Sequence, residues 1–293
     1  MFELLGIAPQ ALMGQLLLGL INGAFYALLS LGLAVIFGLM NVINFTHGAQ
    51  YMMGAFAAWM LLQYLGVPYW GALVLSPLIV GAIGIVLERL LISRLYHLDH
   101  LYGLLLTFGL ALIIEGLFRQ QFGASGLPYI NPIPSGQNLG FMFLPWYRGW
   151  VVAFSLVMCL STWYLIEKTK LGSYLRAATE RPDLVQAFGI NVPRMITLTY
   201  GGGVALAALA GVLAAPIYTV NPTMGSNLII VVFAVVVIGG MGSIMGSIVT
   251  GFGLGLIEGL TKVFYPEASN TVIFVIMAIV LMVRPQGLFG TPK

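Results

Sequence analysis

"NVINFTHGAQ", residues 41–50, lies between two strongly apolar runs. It gathers Asn41, Asn44, Thr46, His47 and Gln50 in a chain of which only 7% is charged. The runs on either side, 11–37 and 48–65, each reach the roughly 17 or more apolar residues that carry a helix across a bilayer. A polar, glycine-containing link between two such runs reads as an interruption inside a membrane-embedded helix bundle.

The rest of the chain agrees. It has 293 residues, 60% of them hydrophobic, and a mean hydropathy of +1.00. Soluble domains carry about 25% charged residues, so 7% cannot make a water-facing surface. The 37 glycines fit close helix–helix contact, because small residues let backbones approach in lipid. Cys159 is the single cysteine, which excludes an intramolecular disulfide, and its apolar surroundings read as packing. The start "MFELLGIAPQ" has no basic segment of the signal-peptide kind, so insertion falls to the first apolar run.

Further spans are expected at 69–92, 101–121, 149–167, 195–217 and 270–284. The stretch 228–261 is too long for one span and is broken by "GGMGSIMGS" at 239–247. It divides into pieces near 228–240 and 244–261, the first short enough to be re-entrant. The fold class is therefore an all-α integral membrane protein, a polytopic bundle of about 8–9 segments with broken or re-entrant helices, forming one domain over 1–293. Arg89 and Arg94, the cluster Lys168, Lys170, Arg176, Arg181 and Arg194, and the pair Arg284 and Lys293 all fall in loops that alternate to one side. Positive charge in short loops marks the cytoplasmic side. The N-terminus and the Pro-rich loop 122–148 then lie outside, and the C-terminus inside. The links 37–49 and 238–247 echo each other as polar, glycine-containing joints, which suggests an internal repeat.

Little here supports enzymatic chemistry. The sequence contains no P-loop and no HExxH. His97, Asp99 and His100 form a metal-like cluster on paper but read as a solvated turn. Two acid–base pairs, Glu115 with Arg119 and Glu258 with Lys262, stand four apart inside apolar runs. Their place near helix ends favours snorkelling to the interface over a substrate path. The segment 168–194 is more informative. Leu171, Tyr174, Leu175 and Ala178 recur at helical spacing, Pro182 opens a second short helix and Gly189 ends it. Such a structured knob, in a chain without an energy-converting motif, points to docking on a partner.

The stretches "GLMNVINFTHGAQYMMGAF" (38–56), "GSYLRAATERPDLVQAFGIN" (172–191), "GGMGSIMGSIVTG" (239–251) and "RPQGLFG" (284–290), in that order, resemble the permease subunits of branched-chain amino acid ABC importers, in their smaller permease type. The resemblance covers nearly the whole chain. It implies a heterodimer with a homologous second permease, two cytoplasmic ABC ATPase subunits, and an extracytoplasmic substrate-binding protein. It implies a multi-pass protein of the bacterial cytoplasmic (inner) membrane, surrounded by the lipid bilayer and binding no nucleic acid. It implies no cofactor on this chain, ATP being bound by the partner subunits. Residues 168–194 become the cytoplasmic coupling loop, with Arg176, Ala177, Ala178, Glu180, Gly189 and Ile190 at the ATPase. Glu180 follows the two alanines where importer permeases generally place an acid before them. Asn41, Asn44, Thr46, His47, Gln50, Gly239, Gly240 and Gly242 are the candidate translocation-path residues. Neutral donors and acceptors suit an amino acid zwitterion, which has no net charge; the other reading of the polar ones is hydrogen bonding between helices, and for His47 that structural role is preferred to proton carriage. Relatives within this family that carry urea, short amides or other amino acids, and a stand-alone secondary transporter, are the alternatives.

Overall fold

The computed structural model describes residues 8–40, 43–96 and 98–290. In chain order the helices are α1 (Pro9–Met40), α2 (Thr46–Leu65), α3 (Tyr69–Leu90), α4 (His100–Phe122), α5 (Trp146–Lys168), α6 (Lys170–Glu180), α7 (Pro182–Ala187), α8 (Val192–Ala214), α9 (Met224–Gly239), α10 (Ile244–Phe264) and α11 (Val272–Val283). A small antiparallel hairpin, β1 (Gly136–Asn138) with β2 (Phe143–Pro145), stands in the connection between α4 and α5, where the sequence indicates only a Pro-rich loop.

Local chemistry sets the ends. Asp99 caps α4 by accepting from Leu101 N at 2.9 Å, Asn191 caps α8 through Arg194 N at 3.0 Å, and Ser243 caps α10 through Gly246 N at 3.1 Å. Asp99 thus serves as a helix cap, and His97 lies outside the described residues.

Among the described residues, α1, α3, α4, α5, α8 and α10 are the helices long and apolar enough to cross a membrane. The expected 8–9 segments have helices at every predicted position, but α9 and α11 have only 16 and 12 residues. That is short of the ~20 a simple span takes. α2 has 20 residues and a polar first turn. The result is a polytopic helical membrane protein with six full-length spans and shorter helices between them.

α2, which opens on a polar first turn, is the centre of the bundle. Every residue from Thr46 to Ala58 is buried, packed against α3, α4, α8 and α9, and His47 reaches the Leu29 carbonyl of α1. Outer helices reverse this pattern: Leu105 and Leu117 on α4, and Val157 and Leu160 on α5, are exposed. An apolar surface of that extent belongs in lipid. Cys159 is fully buried in the same core.

The most extensive packing joins α1 to α10 through two stripes of small residues, Gly19, Gly23 and Ala27 against Gly251, Gly255 and Gly259. A Cβ built on Gly255 would stand 2.4 Å from Gly23 Cα, closer than carbon atoms pack. Small residues every four positions bring two helix backbones together, and in lipid that contact does much of the holding. Gly253, on the same helix, faces open space. Replacing Gly255 with Val is expected to destabilise the protein by about 1–3 kcal/mol or more through overpacking, while Gly253→Ala leaves it near wild type. Thermal unfolding of the two variants in detergent checks this; equal melting temperatures would contradict the packing account.

Candidate functional site

The link that begins α2 is folded into the bundle. His47 Nε2 lies 3.0 Å from the carbonyl of Leu29. Leu29 precedes the end of α1 by eleven residues, about 16 Å of helix. The chain therefore turns back along α1 before α2 starts. Non-helical backbone at such depth needs partners inside the protein. Thr107 of α4 supplies them: its Oγ1 accepts from Phe45 N at 3.2 Å and stands 3.1 Å from the carbonyls of both Ile43 and Leu104, which share its one proton. In return, Thr46 Oγ1 donates to the Thr107 carbonyl at 2.8 Å.

Asn44 and Gln50 meet at Tyr200 of α8. Asn44 Nδ2 and Gln50 Nε2 donate to the Tyr200 hydroxyl at 3.1 and 3.2 Å, and Asn44 Nδ2 also approaches Gln50 Oε1 at 3.4 Å. All three side chains are buried. Asn44 Oδ1 is buried without a hydrogen-bond partner among the described residues. Of the candidate path residues, Asn44, Thr46, His47 and Gln50 thus form one polar cluster across α1, α2, α4 and α8; Asn41 lies outside the described residues.

Gly239, Gly240 and Gly242 form a different constellation. They make the turn between α9 and α10, with Gly240 at φ 102° and Gly242 at φ 86°, where only glycine is unstrained. Gly38, at the end of α1, packs on Gly242, so the two joints that echo each other in sequence touch. The segment 284–290 closes over the same turn. Leu288 N donates to Ile238 O at 2.8 Å and Phe289 N to Gly239 O at 3.1 Å, satisfying carbonyls that a helix end leaves open. Phe37, Arg176, Glu180, Met241 and Phe289 line a cavity of about 490 Å³ there, which brings the turn, the C-terminal segment and α6 together.

The knob is α6 and α7. Pro182 is the first residue of α7, and Gly189 follows its end at φ 82°, the left-handed position that closes helices. Leu175 and Ala178 turn inward. Arg176, Ala177, Glu180 and Gly189 face outward and Ile190 is half-buried. Leu171 and Tyr174, which share the predicted apolar face, are exposed, as are Leu184 and Phe188, the last at 79%. The knob therefore has an inner apolar face and an outer one.

Three features escape the sequence. Glu88, 2% exposed, accepts from Tyr96 Oη at 2.6 Å and Thr197 Oγ1 at 2.9 Å, pinning α3 to α8. Burial first, and the Glu88 carboxylate beside it, push the Tyr96 hydroxyl above its ordinary range. Glu258 corrects the expectation of snorkelling. It is 5% exposed because Tyr26 donates to its Oε2 at 2.7 Å from α1 while Lys262 takes Oε1. Glu115 and Arg119, paired at 2.9 Å with Arg119 half exposed, keep the expected interfacial character. Finally, Asn22, Tyr26, Tyr51, Tyr218, Asn221 and Asn227 converge on a cleft of about 240 Å³ whose apolar lining includes Phe25, Met224 and Leu228. These residues come from four separate segments, so no local spacing announces them; Tyr51 directly follows Gln50 on α2.

Removing the link's partner tests its role. Thr107→Val deletes both a donor and an acceptor for buried backbone and is expected to cost about 1–3 kcal/mol, with Thr107→Ser close to wild type. Melting temperatures in detergent measure it, and an unshifted Thr107→Val would show that the link is held by other means.

The comparisons with known proteins follow the same lines. Residues 15–281 match the family model described as branched-chain amino acid transport system / permease component. The chain is 29% identical over 296 residues to the high-affinity branched-chain amino acid transport system permease protein LivH of Salmonella typhimurium, covering 95% of this chain and 96% of that one. It is 29% identical over 294 residues to the corresponding protein BraD of Pseudomonas aeruginosa, with the same coverage. It is also 28% identical over 293 residues to LivM of Escherichia coli, the permease protein named for the same kind of system, covering 90% of this chain and 67% of LivM. With the match running through every helix from α1 to α11, this chain belongs to the family of permease components of branched-chain amino acid transport systems.

Proposed function

We propose that this chain is a permease subunit of an ATP-driven importer and forms half of a translocation path for branched-chain amino acids. The observation that carries the reading is the cleft of Asn and Tyr side chains over an apolar lining, inside a bundle of this family. A zwitterion needs replacement for its water but no net countercharge. An aliphatic side chain needs apolar contact. The cleft offers both. Tyr51 places α2 at its edge, and the cluster of Asn44, Thr46, His47 and Gln50 fixes that helix from behind. Gly239, Gly240 and Gly242 serve the path at its cytoplasmic end, where the joints meet.

The second half of the path comes from a homologous permease; similarity to LivM as well as to LivH supports a partner built on the same plan. Substrate arrives on an extracytoplasmic binding protein, and two cytoplasmic ABC ATPases supply the energy. They dock on α6 and α7. Leu184 and Phe188 are exposed on a short helix that closes on Gly189, and large apolar side chains left outside a packed knob are what an interface takes up.

The membrane sits so that α1 begins outside. Every segment from α1 to α5 and α8 to α11 crosses, the short ones with help from the joints, and 168–194 and the C-terminus are cytoplasmic. Lysine and arginine placement supports this orientation.

In proteoliposomes holding this chain, its partner permease, both ATPases and the binding protein, leucine is expected to stimulate ATP hydrolysis and to accumulate. Stimulation by urea or a short amide alone would move the substrate class, and uptake driven by an ion gradient without ATPases would overturn the importer reading. Phe188→Asp, being at an exposed position, should leave the spans folded yet fail to retain the ATPases on purification; full retention would remove the knob from the docking surface. Orientation is read by cysteines placed at Ser135 and Ser173 in intact cells, both exposed positions, against a buried Cys159. An impermeant maleimide should label the first and spare the second, and the opposite pattern would invert the topology.

A further inference from the structure

Beside the cleft, and sharing Tyr26, Asn227 and Leu228 with it, is a second cavity of about 380 Å³. Glu258 and Asn270 add polar lining from α10 and the turn before α11; Val231, Ile273 and Phe274 add apolar lining. Glu258 is an ionisable residue 5% exposed, held between α10 and α1 near the end of α10. Such groups are costly in a membrane and mark the routes of charged substrates. Its two oxygens have unlike partners. Lys262, one turn along the same helix, takes Oε1 as an ion pair. Oε2 accepts a neutral hydroxyl, that of Tyr26, from α1.

We propose that this second cavity is a transit site for a free α-amino acid, in which the substrate ammonium replaces the Tyr26 hydroxyl on Glu258. The proposal rests on the importer reading above and gives it a chemistry. A bond from N⁺–H to a carboxylate is shorter and stronger than one from a neutral O–H, and more so where water is excluded. The ammonium therefore outcompetes Tyr26, while the returning hydroxyl keeps the site from holding its ligand tightly. The amides of Asn227 and Asn270 receive the substrate carboxylate, and Val231, Ile273 and Phe274 receive an aliphatic side chain. With Lys262 balancing Glu258, a zwitterion enters without changing the net charge. Tyr26 lines both cavities, so its displacement joins the cleft to the transit site.

The test compares L-leucine uptake by proteoliposomes holding the complete complex with wild type, Glu258→Gln and Glu258→Asp. Glutamine has the size of glutamate and keeps one oxygen to accept the Tyr26 hydroxyl, but gives up the ion pair with Lys262, so assembly of the variant in detergent is measured alongside its rate to separate a structural loss from a lost charge. Loss of the charge-assisted bond is expected to lower the maximal rate of Glu258→Gln about tenfold or more. The half-saturating leucine concentration should stay constant, because it is set on the binding protein. Glu258→Asp, which keeps the charge, should recover part of the rate. Glu258→Gln working at the wild-type rate would overturn the proposal. So would its failure to assemble with its partners in detergent, which would mark Glu258 as structural. A wild-type complex that moves urea and no α-amino acid would instead sink the substrate reading, and this site's ligand with it.

Discussion

Every peptide group in this bundle that leaves a helix must find its hydrogen bonds within the protein, because lipid offers none. The architecture follows from where that is achieved. At the start of α2 the chain is non-helical beside the middle of α1, and Thr107 serves both the amide of Phe45 and the carbonyl of Ile43. At the end of α9, the amides of Leu288 and Phe289 serve the carbonyls of Ile238 and Gly239. Two interruptions, each answered by a distant segment, allow helices to start and stop inside the protein. The Asn and Tyr cleft lies along α2 through Tyr51, and the cavity at Phe37, Arg176 and Met241 lies at the second interruption.

The remaining cohesion comes from close approach. The stripes on α1 and α10 bring two backbones together, and α2, though the least apolar of the central helices, is enclosed from Thr46 to Ala58. These two facts are connected. A helix carrying Thr46, His47 and Gln50 can be stable in a membrane only if its neighbours give it hydrogen bonds, and they come near enough because they are rich in glycine. Polar content at the centre and small residues around it are one solution to the cost of burying unpaired groups.

Much of this was legible in the sequence. Apolar run lengths located the helices, and the interruption at 239–247 divided α9 from α10. Pro182 and Gly189 bracketed α7, because their backbone preferences are local. What could not be read was long-range. Glu258 looked interfacial because its i+4 partner Lys262 is visible in sequence, whereas Tyr26, 232 residues away, is not. Thr107 carries no signal in an apolar run, since a lone threonine there commonly bonds its own helix. The cleft draws its residues from α1, α2, α9 and the turn before α9, segments far apart in the chain. Run lengths placed a helix at each of the expected segments; the piece expected to be short is α9, of 16 residues, and α11 has 12.

The closure of residues 284–290 over the α9–α10 turn bears on how the subunit is made. Gly287 sits so close to Gly240 that a Cβ on it would fall 2.5 Å from the Gly240 Cα, so nothing bulkier can finish the turn. Leu288 and Phe289 leave the ribosome after all eleven helices. Until then α9 ends in carbonyls that these amides have yet to reach, in a segment already committed to the membrane. A chain whose synthesis stops early is thus incomplete at one joint: its helices are formed, but the turn beside α6 lacks the amides that close it.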